Sequence, residues 1–247
     1  MAKKIFITGT GTDIGKTVIM RALTRVFINK NINTVAIKPV ESGVPVNNER
    51  LDQKDLRSSV ESGVPVNNGT PSPLDATALR NAAGSTISPV KLCRYMFSDP
   101  VSPHLAARNE NRIIEPEEII SFINSFNDST DLLLIEGAGG LLVPLSDTLL
   151  YADLITQIDC HVIIVAPDTL GTINTTLLTI EAAKLRGLKI SGIILNKGPN
   201  TILGNAEAIE QHGKIPVLGY FPEITGSDNR LAIAAETSLD LDRIYKI

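Results

Sequence analysis

The sequence predicts one α/β domain with a mostly parallel central sheet and helices on both faces. Short β-branched runs alternate with longer amphipathic segments along the chain, which is the pattern of repeated strand–helix–strand units around a covered parallel sheet. The length of 247 residues is enough for one domain with a large core, whereas two domains would each be small.

The elements alternate regularly in chain order. The candidate strands are short and β-branched, and they cover residues 4–8, 34–38, 131–136, 161–166, 190–195 and 216–219. The candidate helices are longer and amphipathic, and they cover residues 16–29, 74–82, 116–126, 171–185 and 204–212. Right-handed crossovers then place the loops that follow the strands at one edge of the sheet, where ligands bind in such folds.

Charge and composition exclude several classes of protein. The net charge of −4 argues against an extended nucleic-acid or anionic membrane surface. The apolar run after Lys3 and Lys4 covers only residues 5–7, too short for a signal peptide or a membrane span, so we expect a cytosolic protein. Cys93 and Cys160 are far apart and the histidines are scattered, which indicates buried thiols rather than a disulfide or a zinc site.

One nine-residue string occurs twice in the segment 40–73. Val40–Asn48 reads VESGVPVNN, and the same letters recur at Val60–Asn68, 20 positions later. A solenoid needs at least three units that each form a supersecondary element, and this segment is rich in Gly, Pro and Asn. We therefore expect a tandem duplication inside a surface loop, where added length costs only on the order of 1 kcal/mol.

A glycine-rich turn separates the first strand from the first helix. It reads Gly9-Thr10-Gly11-Thr12-Asp13-Ile14-Gly15-Lys16-Thr17, with its first glycine one position further out than in the usual phosphate-binding motif. Backbone N–H groups of such a turn and the helix N-terminus attract phosphate. Lys16 is placed to reach the β- and γ-phosphates, and the Thr17 hydroxyl to ligate Mg²⁺. The sequence therefore predicts a phosphate-binding loop for a nucleotide, and it leaves the choice among ATP, CTP and GTP open.

This loop and several later segments together resemble the dethiobiotin synthetases, a family with the P-loop NTPase fold. The matching segments follow the family order and read IKPVESG at 37–43, DPVSPH at 99–104, IEGAGG at 135–140, PLSD at 144–147, LGTIN at 170–174 and LN at 195–196. The resemblance implies one P-loop domain over residues 1–247. It also implies a biotin-biosynthesis enzyme, a cytoplasmic homodimer that converts 7,8-diaminopelargonate, CO₂ and ATP to dethiobiotin, ADP and phosphate, through a carbamate and a carbamic–phosphoric anhydride.

The resemblance also implies the residues of the site. The implied catalytic groups are Lys38, Lys16 and Thr12, with the two lysines flanking an anionic carbamate and a triphosphate. The implied Mg²⁺ ligands are Thr17, Asp75 and Glu136. The implied nucleotide contacts are Asp13, Ile14, Gly15, Lys16, Thr17, Val18, Glu136, Gly137, Ala138, Gly139, Asn196 and Lys197. The implied substrate contacts are Ser42, Ser102, Gly171, Thr172 and Asn174, of which the last three begin a helix that acts across the homodimer.

The duplication gives two of these residues a rival. The family pattern places a helix-opening Asp 17 positions after the strand-end lysine, whereas Asp75 follows Lys38 by 37 positions. Removing one 20-residue unit restores 17, which favours Asp75 over Asp55 as the metal ligand. Ser42 directly follows the Lys38 strand and is favoured over Ser62 for the substrate contact.

Two other function classes compete with this hypothesis. Nucleotide-switch ATPases of the partitioning or scaffold type share the offset loop, but they carry a second lysine early in it, where this chain has Gly9-Thr10-Gly11-Thr12. An amidotransfer synthetase would carry a fused glutaminase domain with a nucleophilic Cys and a downstream His, for which we expect this chain to be too short.

Overall fold

The computed structural model describes residues 2–47, 70–196 and 204–246. The strands in these residues are β1 (Lys3–Gly9), β2 (Thr34–Ile37), β3 (Val40–Ser42), β4 (Val46–Asn47), β5 (Thr70–Pro71), β6 (Tyr95–Phe97), β7 (Leu132–Gly140), β8 (His161–Pro167), β9 (Lys189–Asn196) and β10 (Val217–Phe221). The helices are α1 (Lys16–Asn29), α2 (Leu74–Ala83), α3 (Pro103–Asn109), α4 (Pro116–Asn124), α5 (Tyr151–Thr156), α6 (Thr172–Leu185), α7 (Asn205–Gly213), α8 (Asp228–Ser238) and α9 (Leu241–Tyr245).

The central sheet has six strands in the order β10-β9-β8-β1-β7-β2. Every pairing in it is parallel, so the carboxyl ends of all its strands lie at the same edge. The register pairs Ile7 of β1 with Glu136 of β7, and Pro167 of β8 with Asn196 of β9. These six strands correspond to the six candidate strands, and the predicted parallel α/β sheet is confirmed.

Helices cover both faces because the strand side chains alternate between them. Ile5 and Ile7 of β1 join a buried apolar cluster with α1 and α8. Phe6, between them, joins a second buried cluster with α5, α6 and α7. Burying each large apolar side chain of these clusters contributes about 1.5–3 kcal/mol. The two clusters fix the sheet in the middle and leave its carboxyl edge for ligands.

Helix α1 begins directly at the glycine-rich turn, and its sequence explains where the helix starts, which face is buried and where it ends. Gly15 is the N-cap residue, with φ of 90°, and Ile19, Leu23 and Val26 are among its fully buried residues. The helix ends at Asn29, and Asn31 follows with a φ of 60°, a left-handed conformation that Asn tolerates well. The buried face therefore anchors the helix whose N-terminus carries Lys16 and Thr17.

Several sequence expectations were wrong in detail. Strand β7 continues to Gly140 rather than ending at residue 136, so Glu136 lies inside a strand. The segment 40–73 was expected to be a loop, but its described ends contain β3, β4 and β5, and β4 pairs with β5 in antiparallel fashion. The second repeat copy lies outside the described residues. The short elements β6, α3 and α5 and the C-terminal helices α8 and α9 were not predicted.

No helix in the described ranges combines the length and apolarity that a membrane span requires.

Candidate active site

The glycine-rich turn is held in place by residues of strands β8 and β9. The Thr10 N–H donates to the Val165 carbonyl of β8 at 3.0 Å, and the Asn196 side-chain amide at the end of β9 donates to the Ile14 carbonyl at 2.9 Å. Asp13 has a φ of 57°. These contacts fix the turn so that it leads directly into the N-terminus of α1.

Two glycines of the site are required by close packing. Gly15 has a φ of 90°, and a Cβ there would overlap the Asn196 side-chain amide. A Cβ on Gly137 would lie 2.9 Å from the Phe6 ring, closer than real contacts allow. A larger residue at position 15 would displace the Asn196 side chain, and one at position 137 would displace the Phe6 ring.

Lys16 is buried and turned back over the loop. Its Nζ donates to the Gly11 carbonyl at 2.8 Å, and the residue is 6% exposed. Burial lowers the pKa of Lys16, although Glu136 opposes this shift. An anionic phosphate in the loop would stabilise the charged form of this lysine.

A second group of side chains comes together beside the loop from four separate segments. Lys38 directly follows β2 and contacts the carboxylates of Asp75 in α2 and Glu136 in β7, with 3.1 Å between Lys38 Nζ and Glu136 Oε1. The Thr17 hydroxyl of α1 donates to the same Glu136 Oε1 at 2.7 Å. We call Thr17, Lys38, Asp75 and Glu136 the lysine–carboxylate cluster.

The charges of the cluster are mostly shielded from solvent. The Glu136 side chain is 1% exposed and the Lys38 side chain 10% exposed, whereas the Asp75 side chain is 35% exposed. Burial alone would lower the pKa of Lys38, but the Glu136 and Asp75 carboxylates outweigh it and raise that pKa above the usual lysine range. Lys38 therefore keeps its proton and acts as a fixed cation.

One residue next to the cluster had no role in the sequence hypothesis. The Glu41 carboxylate accepts hydrogen bonds from the backbone N–H groups of Asp75 at 3.0 Å and Ala76 at 3.1 Å. Glu41 is only 4% exposed, and burial raises its pKa. The sequence offered no signal for this contact, because its partners lie 34 and 35 positions away.

A cavity of about 370 Å³ joins the loop to the cluster. Within the described part of the chain, each residue that lines it is among the predicted site residues. They are Thr12, Asp13, Gly15, Lys16, Thr17, Val18, Lys38, Ser42, Asp75, Glu136, Ala138 and Gly139.

The donor set of this cavity fits Mg²⁺. The ion prefers one or two carboxylates completed by phosphate oxygens and water, and Thr17, Asp75 and Glu136 offer a hydroxyl and two carboxylates. Glu136 Oε2 is buried and has no hydrogen-bond partner among the described residues, so this oxygen is open to a cation. Across residues 2–47, 70–196 and 204–246, no group of three His, Cys, Asp or Glu side chains could hold a metal by itself, so phosphate oxygens would have to complete the shell.

Other predicted residues lie away from this cavity. Ser102 is the N-cap residue of α3, and its hydroxyl lies 3.1 Å from His104 Nδ1. Gly171 and Asn174 are exposed at the start of α6, and Thr172 is buried there. Within one chain the structure does not bring these four residues to the cavity. Lys197, Asp55 and Ser62 lie outside the described residues.

Ile14 and Asn196 form a hydrogen bond that holds the loop outside the cavity lining. Asn196, one of the implied nucleotide contacts, donates its side-chain amide to the Ile14 carbonyl. A neighbouring cavity of about 460 Å³ lies between the turn, residues 140–144 and Thr175, Leu178 and Thr179 of α6. Helix α6 therefore flanks the loop with its side, while its N-terminus remains exposed.

Comparison with known proteins decides the family. A family model described as an AAA domain matches residues 3–230. The ATP-dependent dethiobiotin synthetase BioD of Anoxybacillus flavithermus is 36% identical over 228 residues, which cover 90% of this chain and 93% of that protein. The chain belongs to the dethiobiotin synthetase family. The corresponding protein of Bacillus cereus strain B4264 is 33% identical and covers 90% of this chain and 84% of its own length.

Family membership makes the chain an enzyme, an ATP-dependent ligase. Several solved structures resemble this chain more distantly. The cell division ATPase MinD of Pyrococcus furiosus matches with a TM-score of 0.56 at 16% identity, covering 99% of this chain and 100% of its own. MinD of Pyrococcus horikoshii, solved with Mg-ADP, matches with a TM-score of 0.54 at 17% identity, covering 100% of this chain and 90% of its own. At these identities the likeness shows the shared fold alone.

Proposed function

We propose that this dethiobiotin synthetase family member closes a cyclic urea on 7,8-diaminopelargonate, using CO₂ and ATP and releasing dethiobiotin, ADP and phosphate. The observation that carries the proposal is a cavity shared by a phosphate-binding turn and a lysine that contacts two carboxylates. In the proposed reaction, one amine adds to CO₂ to form a carbamate, and a carbamate oxygen attacks the γ-phosphate with loss of ADP. The second amine then attacks the activated carbonyl carbon and expels phosphate.

In this proposal the chain contributes positive charge and position. The turn and the N-terminus of α1 bind the phosphates, and Lys16 faces the β- and γ-phosphates. Lys38 lies where the carbamate and the γ-phosphate would meet. Because its pKa is raised, Lys38 stabilises negative charge during transfer and does not act as a base at neutral pH. Little covalent work is required of the protein in phosphoryl transfer.

We assign Mg²⁺ to Thr17, Asp75 and Glu136. When bound, the ion would neutralise phosphate charge and orient the γ-phosphate. Lys38 contacts both of these carboxylates, so it would lie close to the bound ion.

The remaining contacts are proposed from the family resemblance. Thr12 and Ser42 line the cavity and would contact the carbamate and the diamine. Ser102 would line the diamine pocket, and the α6 N-terminus, with Gly171, Thr172 and Asn174, would bind the substrate carboxylate of a partner subunit in a homodimer. Asn196 and Lys197 would contact the nucleotide base, and we expect the enzyme to work in the cytosol.

Phosphate release provides the test of the reaction. The purified protein with Mg²⁺ATP should release phosphate only when both diaminopelargonate and bicarbonate are present, and mass spectrometry should detect dethiobiotin in equal amount. Omitting either substrate is the control for uncoupled hydrolysis. Release that ignores the diamine, and responds only to a protein or DNA partner, would reject the synthetase in favour of a nucleotide switch.

A further inference from the structure

We propose that Glu41 is a positioning residue, which holds Asp75 in place for metal binding by capping the N-terminus of α2 from strand β3. The inference rests on the proposed function, because Asp75 is a Mg²⁺ ligand only in that proposal. Glu41 itself does not line the cavity, so its effect on the reaction would pass through the backbone of α2.

Helix α2 begins without a cap of its own. The first N–H groups of any α-helix lack intrahelical partners and need acceptors from elsewhere. Its N-cap residue is Pro73, whose side chain has no acceptor atom. The two oxygens of Glu41 instead accept from the N–H groups of Asp75 and Ala76. A distant strand therefore supplies the cap that the local sequence lacks.

Both the burial and the charge of Glu41 make this contact specific. A carboxylate that is 4% exposed would be costly without hydrogen bonds. Charge-assisted bonds to backbone N–H groups at the positive end of a helix compensate that cost. Because the Asp75 N–H is one of the two donors, the bond fixes the backbone from which the Asp75 carboxylate reaches Lys38.

Glu41 also couples Asp75 to the lysine of the cluster. Lys38 lies three positions before Glu41, and its N–H is bonded to the Leu92 carbonyl at 3.0 Å. Strand β3 pairs in parallel with β6, with Glu41 opposite Met96. One short, anchored segment thus carries Lys38 and the cap of α2, and it sets the distance between Lys38 and Asp75.

Calorimetric titration of ADP, with and without Mg²⁺, tests the inference without using the reaction. Glu41→Ala should raise the Mg²⁺ concentration needed for half-maximal enhancement of ADP binding by about 10- to 100-fold, as loss of outer-shell support does elsewhere. Glu41→Gln should have a smaller effect, because its amide keeps one acceptor. ADP affinity without Mg²⁺ should stay within about twofold of wild type, since the turn is untouched. In a protein that already carries Asp75→Asn, Glu41→Ala should cause no further change in the Mg²⁺ dependence of ADP binding.

Asp240→Ala is the matched control. Asp240 caps α9 with its carboxylate, accepting from the Arg243 N–H at 2.9 Å, so this variant loses a helix cap away from the cavity. It should lower the melting temperature and leave the Mg²⁺ dependence unchanged.

Three results would overturn the inference. The first is a Glu41→Ala variant whose ADP binding depends on Mg²⁺ as in the wild-type protein. The second is a double variant in which Glu41→Ala and Asp75→Asn each raise the required Mg²⁺ concentration, so that their effects multiply. If Glu41→Ala does not fold, the same two criteria are applied to Glu41→Gln. The third is ADP binding that ignores Mg²⁺ in the wild-type protein, which would reject the proposed metal site along with the role of Glu41.

Discussion

The phosphate-binding turn and the lysine–carboxylate cluster lie side by side, yet they are assembled differently. The turn is one continuous segment, residues 9–17, shaped by glycines and backbone hydrogen bonds. The cluster joins side chains that are far apart in the chain, with 119 positions between Thr17 and Glu136. Apart from Thr17, which belongs to both, a change in the turn should therefore mainly affect phosphate binding, whereas a change in the cluster should alter the charge balance on which turnover depends.

Lys16 of the turn and Lys38 of the cluster differ in what compensates their charge. Burial lowers the pKa of Lys16, while the carboxylates around Lys38 raise its pKa despite burial. Lys16 obtains its full countercharge only from a ligand, and Lys38 has countercharges within the protein. We expect Lys16 to govern nucleotide affinity and Lys38 to govern the rate.

The largest expected effect is on turnover in Lys38→Met. Phosphate release with all substrates should fall by about 100- to 1,000-fold, because the transferring phosphoryl group loses a fixed cation. ADP affinity should change much less. The measurements are steady-state phosphate release and calorimetry, with Lys30→Met, an exposed lysine at the end of α1, as control. A rate within tenfold of wild type would contradict the role of Lys38.

Lys16→Ala should mainly weaken nucleotide binding, whereas Lys38→Met mainly slows turnover. The Kd for ADP should rise by about 100-fold, because a hydrogen bond to a charged group contributes roughly 1.5–3 kcal/mol. Circular dichroism should be unchanged, since among the described residues the Lys16 ammonium donates only to a loop carbonyl, that of Gly11. Lys30→Ala is the control here. Undiminished binding by Lys16→Ala would mean that the turn does not hold the phosphates.

Gly15→Ala tests how tightly the turn is packed. Gly15 and Gly204 have nearly the same φ, 90° and 91°, but a Cβ on Gly204 meets open space, whereas one on Gly15 overlaps Asn196. Gly15→Ala should therefore lower the free energy of unfolding by about 1–3 kcal/mol more than Gly204→Ala. Denaturant unfolding measures the difference. Adding Asn196→Ala should recover part of it, and equal effects of the two glycine variants would refute the close contact.

The smallest effect is the pH dependence of nucleotide binding. Free Lys16 has a lowered pKa, and bound phosphate raises it, so the complex holds a proton that the free protein loses. Metal-free ADP affinity should fall as pH rises, beginning below the usual lysine value of 10.5, by about tenfold per pH unit. Calorimetry across this range measures the slope. Lys16→Arg should remove the decline, and a decline that persists in Lys16→Arg would assign it to another group.

The sequence predicts the local parts of this molecule well. The six sheet strands and the helix after the turn follow from hydrophobic patterns within each segment. Strands β3 and β6 contain three residues each, too few for any periodicity to be visible. Helix α8 carried a usable signal, a Ser227 cap before an apolar stretch, but its pattern of alanines gives a weak apolar face.

The lysine–carboxylate cluster required the family resemblance. No spacing rule joins Lys38 to Asp75 and Glu136, because their proximity depends on which strands are neighbours in the sheet. The contact of Glu41 with α2 was missed for the same reason. Interactions between distant segments become visible only when the strand order is known.

The antiparallel pairing of β4 with β5 has a consequence for the repeated string. Val46 lies opposite Pro71 and Asn47 opposite Thr70, so the chain leaves and re-enters this pair at adjacent points. A chain shortened by residues 48–67 would connect the same strands through Asn68-Gly69 alone, and Asn-Gly is the dipeptide most favoured in two-residue hairpins. In the sequence, the extra 20 residues therefore fall between two positions that are already paired, so the length of this segment can change without moving Ser42 or Asp75.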